Sequence, residues 1–199
     1  MKFVLASKSP RRREILENLG VCFEIVTAET DESSEITDPC ELVRELSERK
    51  GLAVRDLLLS QGRDLSETVI ISSDTVVAVD GKILGKPRDP EDASRMLRML
   101  SGREHEVISG ISLIGTDRQG VACDVTRVRF APLTEQNIAF YLQSREPFDK
   151  AGAYAIQGFA SMWIEGIHGC YFNVVGLPVH KMCTLYSELF GTDFLSKQK

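Results

Sequence analysis

The 199-residue chain predicts an α/β fold: a mixed, twisted sheet flanked by helices. Three observations lead there. Apolar, β-branched runs alternate with amphipathic stretches that open on capping residues, and hairpin signals are mixed in, so one sheet holds strands of both directions. No repeat, low-complexity tract or long Pro/Ser linker divides the sequence, which predicts a single continuous domain over residues 1–199.

In chain order, Phe3 to Ala6 reads as a short buried strand. Ser9 caps the following helix, with Pro10 at its first position and Gly20 where a C-terminal cap belongs. Residues 22–27 are a second strand candidate. A long helix runs from Asp38–Pro39 to about Gln61 and stops at Gly62. Val69 to Ser73 is a strongly apolar run, Val76 to Val79 keeps the strand character, and Asp80–Gly81 is a hairpin signal. Asp89–Pro90–Glu91 opens a helix that Gly102 ends. Residues 104–115 and 121–130 pair across the Asp117–Gly120 turn, and Thr134 to Ser144 is helical. A Gly-rich stretch from Asp149 to Gly158 precedes a strand candidate, Ser161 to Ile167, and a final amphipathic helix, Pro178 to Phe190.

Composition narrows the function. The chain is 43% hydrophobic and 27% charged, an ordinary globular balance, with 24 Lys plus Arg against 29 Asp plus Glu. A net charge of −5 disfavours a general nucleic-acid binder, which carries a basic surplus. No apolar run is long enough for a transmembrane helix, and the stretch before Lys8 is too short for a signal peptide. Five scattered cysteines without CxxC or metal-ligand spacing read as reduced thiols of a cytoplasmic protein.

Four segments carry possible chemistry. In Ser7-Lys8-Ser9-Pro10-Arg11-Arg12-Arg13 three guanidinium groups fall in the first helical turn, where the macrodipole already places positive charge. Exposed N–H groups and arginines together call for an anion such as phosphate. The plainer alternatives are a solvated turn paired with Glu14 and Glu17, or a DNA-groove arm, which the immediate return of core periodicity disfavours. Asp74, in Ser72-Ser73-Asp74-Thr75, is a carboxylate at the carboxyl end of an apolar strand run, a common position for a site in an α/β sheet; it would hold Mg²⁺ or take a proton from attacking water, or simply form a turn or cap. Gly85-Lys86-Pro87 presents a positioned point charge, weak by itself, and the Asp31–Glu32 pair and Lys50 are weaker still. From Glu146 to Gly158, small residues allow close backbone approach and the Gln157 amide has the donor and acceptor needed to read a base edge; the alternative is a tightly packed turn. No catalytic triad, Walker loop or GxGxxG is present.

Together these segments resemble the Maf family of nucleoside triphosphate pyrophosphatases. The matching text is LASKSPRRREIL, DE at 31–32, ERKGLAV, SSDTVV, LGKP, LSGREHEV, EPFDKAGAYAIQG and NVVGLP, in order from residue 3 to about 180. The resemblance implies a fold like that of inosine triphosphate pyrophosphatases, with a central cleft, a divalent cation (Mg²⁺ or Mn²⁺), and release of pyrophosphate from a nucleoside triphosphate. It implies that Asp74 is the proton acceptor and that Arg11, Thr75 and Gln157 mark the branch acting on dTTP and UTP. It also implies that Ser7, Arg12, Lys50, Lys86 and Lys150 bind phosphate and that Glu32 positions metal or water beside Asp74. Ala155 and Cys170 depart from the family's usual residues near the expected base pocket. A nucleotide sensor acting in cell division without turnover, and a pyrophosphatase of noncanonical purine nucleotides, are the alternatives. Neither a nucleic-acid nor a membrane partner is expected; the oligomeric state is open, with a homodimer as one option.

Overall fold

A computed structural model describes residues 1–197. Seven strands form one sheet in the order β2-β1-β3-β5-β6-β7, with β4 paired to β3. They are β1 (Lys2–Leu5), β2 (Phe23–Ile25), β3 (Thr68–Val79), β4 (Lys82–Leu84), β5 (Glu104–Ile114), β6 (Gln119–Phe130) and β7 (Ile164–His168). Pairing is parallel for β1 with β2 and β3, and antiparallel for β3 with β4 and β6 with β7. The sheet is therefore mixed, as the interspersed hairpins predict. The helices are α1 (Pro10–Asn18), α2 (Pro39–Ser60), α3 (Pro90–Leu100), α4 (Glu135–Gln143), α5 (Tyr171–Val175) and α6 (Val179–Phe190).

Local chemistry sets most helix starts. The side chains of Ser9, Asp38, Asp89 and Thr134 accept backbone N–H bonds from Arg12, Glu41, Asp92 and Asn137, and Pro occupies the first position of α1, α2 and α3. Two expectations shift. The strand expected from Ser161 begins at Ile164, because Phe159–Trp163 forms a 3-10 turn closed by the Ser161 N–H on the Gly158 carbonyl. Asp74 lies inside β3 and not at a strand's carboxyl end, because the β-branched Thr75, Val76 and Val77 carry the strand on to Val79. Helix α5, with no counterpart in the sequence reading, has only five residues, too few for a 3.6-residue period to show.

The chain divides into two compact units. The first contains Met1–Asp74, Ser109–Asp124 and the described residues from Gly176 onward; the second contains Thr75–Ile108 and Val125–Val175. In the first, Val4, Val54, Leu58, Ile70 and Ile114 form a core between the sheet and α2. Helix α2 lies unusually close to the strands. A Cβ on Gly51 would sit 2.7 Å from Ser72 Oγ and Ile114 Cδ1, and one on Gly110 would sit 2.1 Å from the Val43 carbonyl oxygen. The Ser72 hydroxyl uses that closeness to donate to the Ser47 carbonyl at 2.6 Å. Cys40 and Cys123, expected as thiols, form a disulfide with Cα atoms 5.8 Å apart, a separation that suits a bridge. They lie 83 positions apart in sequence, so no spacing rule could pair them. Cys22, Cys170 and Cys183 are free.

The core of the second unit packs Met96, Leu97 and Leu100 of α3 with Val107, Val128, Phe130 and Tyr141. His105, only 2% exposed, lies inside it. Its Nε2 is 2.8 Å from the Tyr154 hydroxyl and its ring meets Phe130 and Tyr154 edge-on. Its Nδ1 has no hydrogen-bond partner among the described residues. Burial pushes the imidazole pKa down to about 4.

Two outcomes follow from this packing. Gly110→Ala drives a methyl group into the α2 backbone and should cost about 3 kcal/mol, measured by urea unfolding; a change under about 0.5 kcal/mol would show that the helix shifts freely. Because the folded-state pKa of His105 lies below its unfolded value, its neutral form stabilises the fold fully above about pH 6.5, and that contribution disappears as pH falls towards 4. The loss should reach roughly 3 kcal/mol, and His105→Phe should flatten the stability profile across that window. Parallel profiles for the two proteins would remove His105 as the cause.

Candidate active site

In the first unit, the site begins at the N-terminus of α1. The Ser7 hydroxyl accepts the Ser9 N–H at 3.1 Å and Arg12 Nη1–H at 3.3 Å, fixing the turn between β1 and the helix. Arg12 Nε also donates to the Gly176 carbonyl at 2.8 Å, where the Ser73 hydroxyl donates at 2.9 Å. One carbonyl from the NVVGLP segment thus anchors both the arginine and the strand next to Asp74. Burial lowers the Arg12 pKa; attraction to Asp74 opposes this, repulsion from Arg11 adds to it, and attraction to Glu32 opposes it. The guanidinium stays charged. Arg13 follows the plainer alternative: it is exposed and paired with Glu17 at 2.7 Å.

The centre of the cluster is Lys50. Its ammonium lies 2.5 Å from Asp74 Oδ1 and 2.8 Å from Glu32 Oε1. Lys50 and Asp74 are mostly shielded, with side chains 19% and 13% exposed, whereas Glu32 is 55% exposed. Low exposure makes the Lys50–Asp74 attraction far stronger than that of a surface pair. Lys50 reaches β3 because its neighbour Gly51 lets α2 approach the strand. Arg49, one residue earlier, donates through Nη1 to the carbonyls of Asp31 at 2.6 Å and Ser33 at 2.9 Å. It thereby holds the segment that presents Glu32. Arg49 was not singled out from the sequence; its only signal is its place in ERKG.

The donor chemistry suits a hard divalent cation. Two carboxylates, Asp74 and Glu32, converge on a single positive centre, and Mg²⁺ commonly takes one or two protein carboxylates while keeping water and phosphate oxygens. Among the described residues, no group of three or more His, Cys, Asp or Glu side chains forms a self-sufficient metal cage.

The remaining expected residues belong to the second unit. Thr75 continues β3, half-buried; Lys86 and Gln157 are exposed. Lys150 Nζ donates to the Glu146 carbonyl at 2.9 Å and pairs with Asp149 at 2.5 Å, so its ammonium is held rather than extended freely. The Gly-rich stretch is a folded structure of short 3-10 turns over Glu146–Asp149 and Ala151–Ala153. Tyr154 is 5% exposed, and burial pushes its hydroxyl pKa upward.

A 50% identical relative from Carboxydothermus hydrogenoformans, covering 95% of this chain and 97% of its own length, is named a dTTP/UTP pyrophosphatase. Relatives with the same name are 44% identical in Caldanaerobacter subterraneus, over 99% of this chain and 93% of that protein, and 46% identical in Clostridioides difficile, over 96% of each. The solved Staphylococcus aureus Ham1 protein aligns with 66% of this chain and 72% of its own, at 13% identity and a TM-score of 0.42, too distant to bear on the site. The family described as Maf-like protein matches residues 2–189, and with relatives this similar along nearly its whole length, the chain belongs to that family.

Proposed function

We propose that the chain is a nucleoside triphosphate pyrophosphatase that converts dTTP and UTP to the monophosphate and pyrophosphate, with residues 1–199 acting as one domain. The observation that carries the reading is the shielded Lys50–Asp74 pair, with Glu32 on the same ammonium, in a chain half-identical to a protein named dTTP/UTP pyrophosphatase. In this reading Asp74 orients water and takes its proton as oxygen attacks the α-phosphorus, and pyrophosphate leaves. Lys50, Arg11 and Arg12 neutralise charge that the phosphates bring and that builds up in the transition state. Asp74 and Glu32 would hold a divalent cation, Mg²⁺ or Mn²⁺, which when bound screens the phosphate oxygens.

Substrate entry then requires Lys50 to exchange a carboxylate partner for a phosphate oxygen. Ser7 contributes by fixing Arg12 and the first turn of α1. Lys86 and Lys150 are assigned to phosphate, and Arg11, Thr75 and Gln157 to substrate selection, by their place in the family motifs. Among the described residues no helix is long and apolar enough to cross a membrane. A nucleotide substrate supports a cytoplasmic reading, and there the Cys40–Cys123 bridge would be under reducing pressure.

The test is steady-state pyrophosphate release with Mg²⁺ or Mn²⁺ on dTTP, UTP, CTP, ITP and 7-methyl-GTP. The first two should dominate, and Asp74→Asn should slow turnover by about 10²–10⁴-fold without unfolding the protein. Chelation should abolish activity, and Glu32→Gln should raise the metal concentration needed for half-maximal rate. Near-normal turnover by Asp74→Asn would reject the mechanism. Binding without turnover would favour a nucleotide sensor, and preference for ITP a purine enzyme.

A further inference from the structure

Glu146 and Tyr141 are partly and fully buried, respectively, and the mechanism above uses neither. They are joined: the Tyr141 hydroxyl donates to Glu146 Oε1 at 2.7 Å. Each also receives a backbone N–H from the segment that carries Gln157. The Ala155 N–H donates to the Tyr141 hydroxyl at 3.1 Å, and the Phe159 N–H donates to Glu146 Oε2 at 3.2 Å. Gln157 is midway between these two bonds, with two residues to either side. The carboxylate also lies directly over Gly158, where a Cβ would be 2.1 Å from both Glu146 oxygens. Only a residue without a side chain permits that approach. The Gly158 N–H closes the turn on the Ala155 carbonyl at 3.2 Å, so the tip that presents Gln157 is tied at both shoulders. The backbone carbonyl of Glu146 meanwhile holds the Lys150 ammonium.

We propose that Glu146 and Tyr141 are positioning residues that clamp Ala155–Phe159 and so set how strictly Gln157 selects the base. The proposal rests on the reading that Gln157 faces the nucleotide base. A Gln amide discriminates only when its donor and acceptor ends are held in register with a base edge, and a mobile backbone lets it satisfy the wrong base as well. The clamp provides that rigidity through a charge-assisted acceptor that holds one shoulder directly and the other through the Tyr141 hydroxyl.

The experiment compares Tyr141→Phe, Glu146→Gln and Gly158→Ala with Gln157→Glu, measuring kcat and KM for dTTP, UTP and CTP together with thermal stability. Tyr141→Phe keeps the ring and removes both hydroxyl bonds; Gly158→Ala displaces the carboxylate without removing a polar group. Each should raise KM for dTTP and UTP about tenfold and lower the dTTP-over-CTP preference by a similar factor, with kcat falling no more than about threefold. Glu146→Gln retains an acceptor for Tyr141 and should show a smaller loss. Equal loss of kcat/KM on every nucleotide, tracking stability, would overturn the proposal by making the pair merely structural. Altered preference in Gln157→Glu alone, with the three clamp variants unchanged, would overturn it while leaving the role of Gln157 intact. Unchanged preference in Gln157→Glu would overturn both the role of Gln157 and the clamp built on it.

Discussion

The approach of α2 to the sheet is the constraint on which the first unit depends. Two glycines on opposing elements make it possible, Gly51 on the helix and Gly110 on β5, and no other residue fits either place without moving backbone or a packed side chain. Close packing gains dispersion contacts where Val43 and Gly51 meet the strands. It also brings Lys50 within hydrogen-bond reach of Asp74, which an ordinary helix–sheet spacing would leave farther off. The mid-helix glycine costs about 1 kcal/mol of helix propensity, so the position trades local stability for reach.

Charge is then balanced by placement more than by number. Lys50 meets two carboxylates, and Arg12 is tied by Ser7 and the Gly176 carbonyl. Arg49 pairs with Glu45 through Nη2 and uses Nη1 on backbone carbonyls, bracing the Asp31–Ser33 segment. An overall acidic chain thereby keeps a concentrated cationic cluster around Asp74. A polyanion finds there both the positive charge and two acidic groups able to share a cation with it.

The second unit solves a different problem, holding an irregular segment still without regular secondary structure. Backbone N–H groups that no helix or strand satisfies must find other acceptors when they are shielded from water. Tyr141 and Glu146 supply two of them, and the His105–Tyr154 contact anchors the same segment from within the core. Neutral imidazole and neutral phenol bring two donors to one shared bond. One buried donor is therefore left over in that pair, a polar cost accepted inside the core beside the irregular segment.

Much of this was legible in the sequence because it is governed by neighbours along the chain. Ser9, Asp38, Asp89 and Thr134 announced their helices through capping bonds three residues long, and Asp80–Gly81 announced a hairpin that forms. The motifs around Arg12, Asp74 and Gln157 were visible as departures from ordinary composition. The late start of β7 and the five-residue α5 were not, since a 3-10 turn and a single helical turn carry no periodicity. Nor were the roles of Arg49, Glu146 and Gly176, each of which has a backbone atom on one side of a long-range contact, and a backbone atom leaves no mark on residue identity. What the sequence alone determined was the capped helices, the main strands, their alternation and the family. What only the tertiary structure decided was who meets whom: Lys50 with Asp74 across 24 positions, Arg12 with Gly176 across 164, and Cys40 with Cys123. Such pairings depend on how helices pack on a sheet, and packing answers to shape and burial in three dimensions, which no one-dimensional spacing encodes.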